Sequence, residues 1–194
     1  MTDPNFDSGS ISKEKTMWEL YRLTGKFPYS KFNRVTTLVI ALVLTFYCIL
    51  QWSKMSAIET VLRKVIESGF VFGTCTIGFL VAGFTVFVTV TKVDVFIEMA
   101  EVEYEGTGES YLKYNLVQFM LVFCHYIAYL FMCVCYYLFA QPDGLIDVVL
   151  GLLSDVVSCA VSIKNIRGVL VSSSLIFIGA WTIYIVLLSL LQKS

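Results

Sequence analysis

Four stretches of this chain run for the length of a membrane crossing without one Asp, Glu, Lys or Arg. Val35–Trp52 reads VTTLVIALVLTFYCILQW and Phe70–Thr91 reads FVFGTCTIGFLVAGFTVFVTVT. Leu116–Ala140 reads LVQFMLVFCHYIAYLFMCVCYYLFA and Gly168–Leu191 reads GVLVSSSLIFIGAWTIYIVLLSLL. A helix needs about 20 mostly apolar residues to cross the hydrocarbon core of a bilayer. Inside that core no water can satisfy a free backbone amide, so such segments must be helical. The predicted fold is therefore all-α and polytopic, with four transmembrane helices. The first run starts well into the chain and lacks a small-residue cleavage site, so it reads as a retained span and not a signal peptide.

Composition excludes the soluble alternative. The 194 residues are 57% hydrophobic and 15% charged, against roughly 45–50% and about 25% in soluble domains. A globule this small leaves much of its surface wet and cannot bury that excess. Lipid can. Net charge is −1, so no basic surface points to direct nucleic-acid binding.

The runs divide the chain into a head (1–34), a membrane domain (35–191) containing an acidic linker (92–115), and a short tail (192–194). Ser12–Gly25 of the head reads as a short interfacial helix capped by Ser12. Two further segments read as short amphipathic helices. In Ser56–Ser68, Ala57, Ile58, Val61, Leu62, Val65 and Ile66 form an apolar stripe, with Glu59, Arg63, Lys64 and Glu67 on the remaining surface. Gly144–Ile163 is apolar but carries Asp147 and Asp155. An Asp at the centre of a span costs about 2.5–3.5 kcal/mol, so this segment suits the interface better than a fifth crossing. The order span, amphipathic helix, span then occurs twice, which would fit a parallel architectural repeat.

Four crossings put both ends on one side. That side holds nine basic residues, including six from Lys13 to Arg34, against five on the other. Cationic bias marks the cytoplasmic side, so the reading is a multi-pass protein with both termini cytoplasmic.

Three features are candidates for function. The second span carries Gly69, Gly73, Gly78 and Gly83, and the fourth carries Gly179. Small residues let helices in lipid approach closely, which predicts packing of the bundle or of a homo-oligomer through these positions. The linker KVDVFIEMAEVEYEGTGESYLKYN places Asp94, Glu98, Glu101 and Glu105 along one face of a helix extending the second span, with Val95, Met99 and Val102 beside them. Gly106-Thr107-Gly108 then breaks it. With Glu103 and Glu109 this makes six carboxylates and no basic residue between Lys92 and Lys113. The segment reads either as a solvated extension or as a docking surface for a basic soluble protein. His125 is the lone histidine; it either bonds a backbone carbonyl or a hydroxyl within the bundle or acts as a polar switch.

Catalytic signatures are missing. There is no Gly-x-Ser-x-Gly, His-Glu-x-x-His or phosphate loop. The four spans contain no carboxylate, and Asp147 and Asp155 stand about 12 Å apart along one helix, too far to share a proton. No metal or cofactor site is expected. The six cysteines lie mostly in apolar runs, where a thiol packs as a small hydrophobe.

The run Gly78-Phe79-Leu80-Val81-Ala82-Gly83-Phe84-Thr85, followed by Lys92-Val93-Asp94, resembles small bacterial multi-span proteins of defence loci. In length, four spans and cytoplasmic head the chain is similar to the membrane subunit of the Kiwa anti-phage system. The resemblance implies an inner-membrane homotetramer acting with a soluble, DNA-associated effector subunit. It transfers no individual functional residue. The expectations are thus a non-enzymatic scaffold or sensor that recruits a cytoplasmic effector, or a small pore that depolarises the membrane when triggered; a membrane enzyme is the weakest fit.

Overall fold

The computed structural model describes residues 31–104, 109–140, 144–156 and 160–190. Every regular element among them is helical: α1 (Lys31–Leu50), α2 (Met55–Val90), α3 (Val93–Glu101), α4 (Tyr111–Cys135, closing in a π turn Tyr136–Ala140), α5 (Leu145–Val156) and α6 (Ala160–Leu190). Four helical stretches are long and apolar enough to cross a membrane: Lys31–Leu50, Met55–Val90, Tyr111–Phe139 and Ile166–Leu190. The chain is a multi-pass, all-α membrane protein. The proposed helix of the head, Glu105, the Gly106–Gly108 breaker and the tail lie outside the described residues.

Two boundaries differ from the sequence reading. Ser56–Ser68 is no separate interfacial helix: it is the first part of α2, which runs unbroken for 36 residues, about 54 Å at 1.5 Å per residue. Its apolar stripe faces protein instead of a headgroup layer. Ile58, Leu62 and Ile66 are fully buried against Cys48, Tyr129, Cys133 and Leu175. No Gly or Pro interrupts it before Gly69, so nothing forces a break. The second amphipathic segment does form a short helix, α5. Its 12 residues reach only about 18 Å, too short for a fifth crossing. The two halves of the chain therefore differ where a repeat would need them alike.

Register follows from side-chain contacts. α1 and α6 run antiparallel: Asn33 Nδ2 donates to the Tyr184 carbonyl at 3.3 Å, Gly179 faces Leu44, and Gly168 lies against Trp52 and Met55. Asn33 and Tyr184, near the two ends of the described chain, are thus side by side. At the opposite rim Arg167 pairs with Glu59 at 3.0 Å, tying α6 to α2. α4 completes the bundle through Tyr129, whose hydroxyl accepts from Thr182 Oγ1 at 2.9 Å, and through Tyr126 beside Ser189 at 3.3 Å.

α2 outruns this bundle. Its buried residues are Ile58, Leu62, Ile66, Gly69 and Gly73. From Thr74 to Val90, roughly 25 Å of helix, its neighbours are α4 and α3. The threonines there do not need partners elsewhere: Thr74, Thr76, Thr85 and Thr89 each donate to the carbonyl four residues back, at 2.8–2.9 Å. Satisfied this way, a hydroxyl can face lipid.

Candidate functional site

The far end of α2 is closed by a small folded cap. Thr91 turns extended at ψ 127° and ends the helix. α3 then starts anew from Lys92 and folds so that Phe96 meets Phe87 edge-on, ring centroids 5.4 Å apart. This corrects the expected continuous extension of the second span: burying Phe96, Met99 and Ala100 against α2 and α4 requires the chain to turn. The face beside the carboxylates is accordingly different from the one expected. Val95 and Val102 are exposed, while Phe96 and Met99 are half-buried and Ala100 is buried.

After α3 the chain makes a narrow reversal. Tyr104 N–H donates to the Glu109 carbonyl at 2.9 Å and Tyr111 N–H to the Val102 carbonyl at 2.8 Å. Ser110 caps α4, its hydroxyl accepting from Lys113 N–H at 3.2 Å. Tyr104 stacks on Tyr114 with centroids 3.8 Å apart, and with Val117 they form a second small core. Beneath lies an ion pair: Lys113 Nζ and Glu109 Oε2 are 2.9 Å apart, their side chains only 5% and 10% exposed. Glu109 is therefore no free docking carboxylate. By sequence it is one of the linker's six carboxylates, yet the signals for its role are local: a Glu and a Lys four residues apart around a Ser N-cap, flanked by three tyrosines.

Asp94, Glu98 and Glu101 are exposed on α3, at i, i+4 and i+7 on one face. The cap holds that helix in place, so the three carboxylates form a fixed acidic surface next to the open part of α2.

The glycines separate into two groups. Built onto Gly69, a Cβ would overlap the Tyr129 hydroxyl; on Gly73 it would sit 3.0 Å from Leu130; on Gly179 it would sit 2.7 Å from Leu44. These three pack within the chain, and Gly179 serves α1. At Gly78 and Gly83 an added Cβ meets nothing within 4 Å. These two are the ones left to face lipid or another chain. Phe79, 78% exposed, and Val90, 74% exposed, share that stretch.

His125 lies elsewhere. Its Nδ1 is 2.8 Å from the Leu121 carbonyl of its own helix, and its ring is 5.6 Å from that of Tyr184. It lines a lipid-side groove with Thr37, Ser173 and Trp181. That bond is local, to the carbonyl four residues back on the same helix. Of the cysteines, Cys48 and Cys133 are buried in the core and Cys75 is exposed. Among the described residues no three of His, Cys, Asp and Glu converge.

Compared with protein families, with curated proteins and with solved structures, the chain finds no match.

Proposed function

We propose that this protein is a non-enzymatic, oligomeric scaffold or sensor of the bacterial inner membrane that recruits a soluble cytoplasmic effector protein in anti-phage defence. The observation that carries the reading is the fixed acidic face of α3. Asp94, Glu98 and Glu101 are exposed on a helix anchored by a buried ion pair and a tyrosine stack. A disordered acidic tether would need none of that construction. Carboxylates held at one face favour a basic protein surface and repel an anionic leaflet. Such charges mainly speed association and make it salt-dependent. Self-association through the open face of α2 around Gly78, to the tetramer that the resemblance implies, would multiply this acidic surface and add avidity. The basic excess in the head supports a cytoplasmic position for it.

The experiment is co-purification. Glu98→Lys with Glu101→Lys should leave insertion and oligomer size unchanged and abolish recovery of the soluble protein that the wild type brings down. Raising the salt should weaken wild-type recovery as well. Undiminished recovery by the double variant would sink the recruitment reading, and a triggered pore would take its place. Cysteine labelling at positions 10 and 194 decides the orientation: reaction from the periplasmic side at either position would overturn it.

A further inference from the structure

Beyond the bundle the distal parts of α2 and α4 do not close on each other. An added Cβ at Gly69 or Gly73 runs into α4, but at Gly83 it meets open space. Phe84 stacks on Phe119 with centroids 4.5 Å apart, and Phe87 meets Phe96 of α3. These aromatic contacts brace a wedge of about 380 Å³ whose walls include Leu80, Gly83, Leu112 and Leu116. From Phe87 to Phe79 it runs about 12 Å along the helix, most of the half-thickness of a hydrocarbon core about 30 Å across. One polar side chain lines it, Asn115, whose amide donates to the Tyr111 carbonyl at 3.2 Å. Apolar cavities smaller than this stay dry and take up apolar guests. Here the surrounding medium is hydrocarbon.

α3 lies across one end of the wedge. Met99 lines it, while Asp94, Glu98 and Glu101 stay exposed outside it. Lys92, exposed, is the cation at the start of this helix; Lys113 nearby is buried against Glu109. A headgroup bearing only a phosphate would meet three carboxylates for one ammonium. A headgroup with a primary ammonium beyond its phosphate matches both signs. The geometry points to a lipid site: an acyl chain of an ethanolamine phospholipid occupies the wedge between α2 and α4, with its phosphate at Lys92 and its ammonium at Asp94 or Glu98. Filling the wedge supports Met99 and so sets the position of α3, which couples the acidic face to the lipid beneath it.

The test uses the full chain in nanodiscs of defined lipid. Phe79→Trp places an indole on the wall of the wedge at an already exposed position. Brominated ethanolamine lipid, present as a minor component in glycerol-headgroup lipid, should quench this indole at least threefold more than the reverse mixture, after subtraction of the signal from the native tryptophans. Choline lipid should behave like the glycerol lipid. Asp94→Asn with Glu98→Gln should erase that preference and leave the quenching itself. Gly83→Phe, which fills the wedge, should remove the excess quenching and the ethanolamine lipid retained in native mass spectra. Equal quenching by all three headgroups in the Phe79→Trp protein would overturn the proposal, as would retention of the lipid by Gly83→Phe. Should Gly83→Phe fail to insert, the headgroup comparison alone decides. Efficient Gly83→Cys disulfide formation between protomers would also refute it, by showing a second copy in the wedge. These readouts are taken on the chain and lipid alone, with no soluble protein present, so their failure is distinct from a failure of effector recruitment.

Discussion

α2 is one helix with two environments. Between Met55 and Gly73 it lies inside a four-helix bundle, and an added side chain at its glycines would meet Tyr129 or Leu130. Between Thr74 and Val90 glycine again stands among large apolar residues, yet a Cβ added at Gly78 or Gly83 would meet nothing within 4 Å. A glycine in a span is therefore not a packing signal by itself. It becomes one when a bulky neighbour such as Tyr129 fills the space its missing side chain leaves. Where no neighbour arrives, the same residue leaves a face open to lipid or to another protomer.

The strongest way to test this contrast is to add volume at both ends. Gly69→Leu should prevent a monodisperse protein, because Tyr129 would have to leave its place between Gly69 and Thr182; overpacking alone costs about 1–3 kcal/mol, and the interhelical bond is lost too. Gly78→Leu should keep the thermal stability of the wild type, because leucine is the better helix former and meets no neighbour. If both variants fold equally well in a thermal-shift assay, the two parts of α2 do not differ as described.

The cap at the far end allows a second comparison. Lys113→Met takes the buried ammonium away from the Glu109 carboxylate, and breaking such a pair costs about 3 kcal/mol or more. The loss should stay local. Hydrogen exchange should speed up across Val93–Glu101 and around Val102 and Tyr111, while Ile58–Ile66 stays protected. Acceleration throughout the bundle would mean that the cap and the bundle are a single cooperative unit.

A subtler probe returns to the packed end. Tyr129→Phe should cost only about 0.6 kcal/mol, the mean for an interhelical hydrogen bond in lipid. It should also rescue part of the damage from Gly69→Ala, since it removes the hydroxyl that the new methyl would strike. A double-mutant cycle measures that coupling, expected at about 1 kcal/mol; zero coupling would separate Gly69 from Tyr129.

Gly78→Leu should also change the size of the particle. Light scattering in detergent should show a smaller assembly. An unchanged mass would remove the open face of α2 from any interface and leave it to lipid.

Much of this was legible in the order of the residues. The four crossings, the helical class, the stripe Ile58–Leu62–Ile66 and the exposed carboxylates Asp94, Glu98 and Glu101 all follow from local pattern. Each depends on hydrophobicity, charge or period, which a segment carries by itself. Other features were not readable. Glu109 looks like one more member of an acidic run until Lys113 is seen buried against it. Ser56–Ser68 looks interfacial because its charged surface is visible in the sequence and the partner of its apolar stripe is not. Gly69 and Gly83 are the same residue in similar surroundings along the chain.

The sequence by itself determined that this protein lives in a bilayer, because uncharged runs of that length have no stable place in water. It also determined that those runs are helices, because hydrocarbon offers the backbone no other partner. Only the tertiary structure decided which side of each helix meets protein and which meets lipid. Leucine and phenylalanine are at home in either, so between apolar helices the hydrophobic effect gives no direction. The choice falls to shape, where Tyr129 fits over Gly69, and to a few buried polar contacts such as Tyr129–Thr182 and Glu109–Lys113. Those depend on residues distant in sequence or on a turn that only folding brings about.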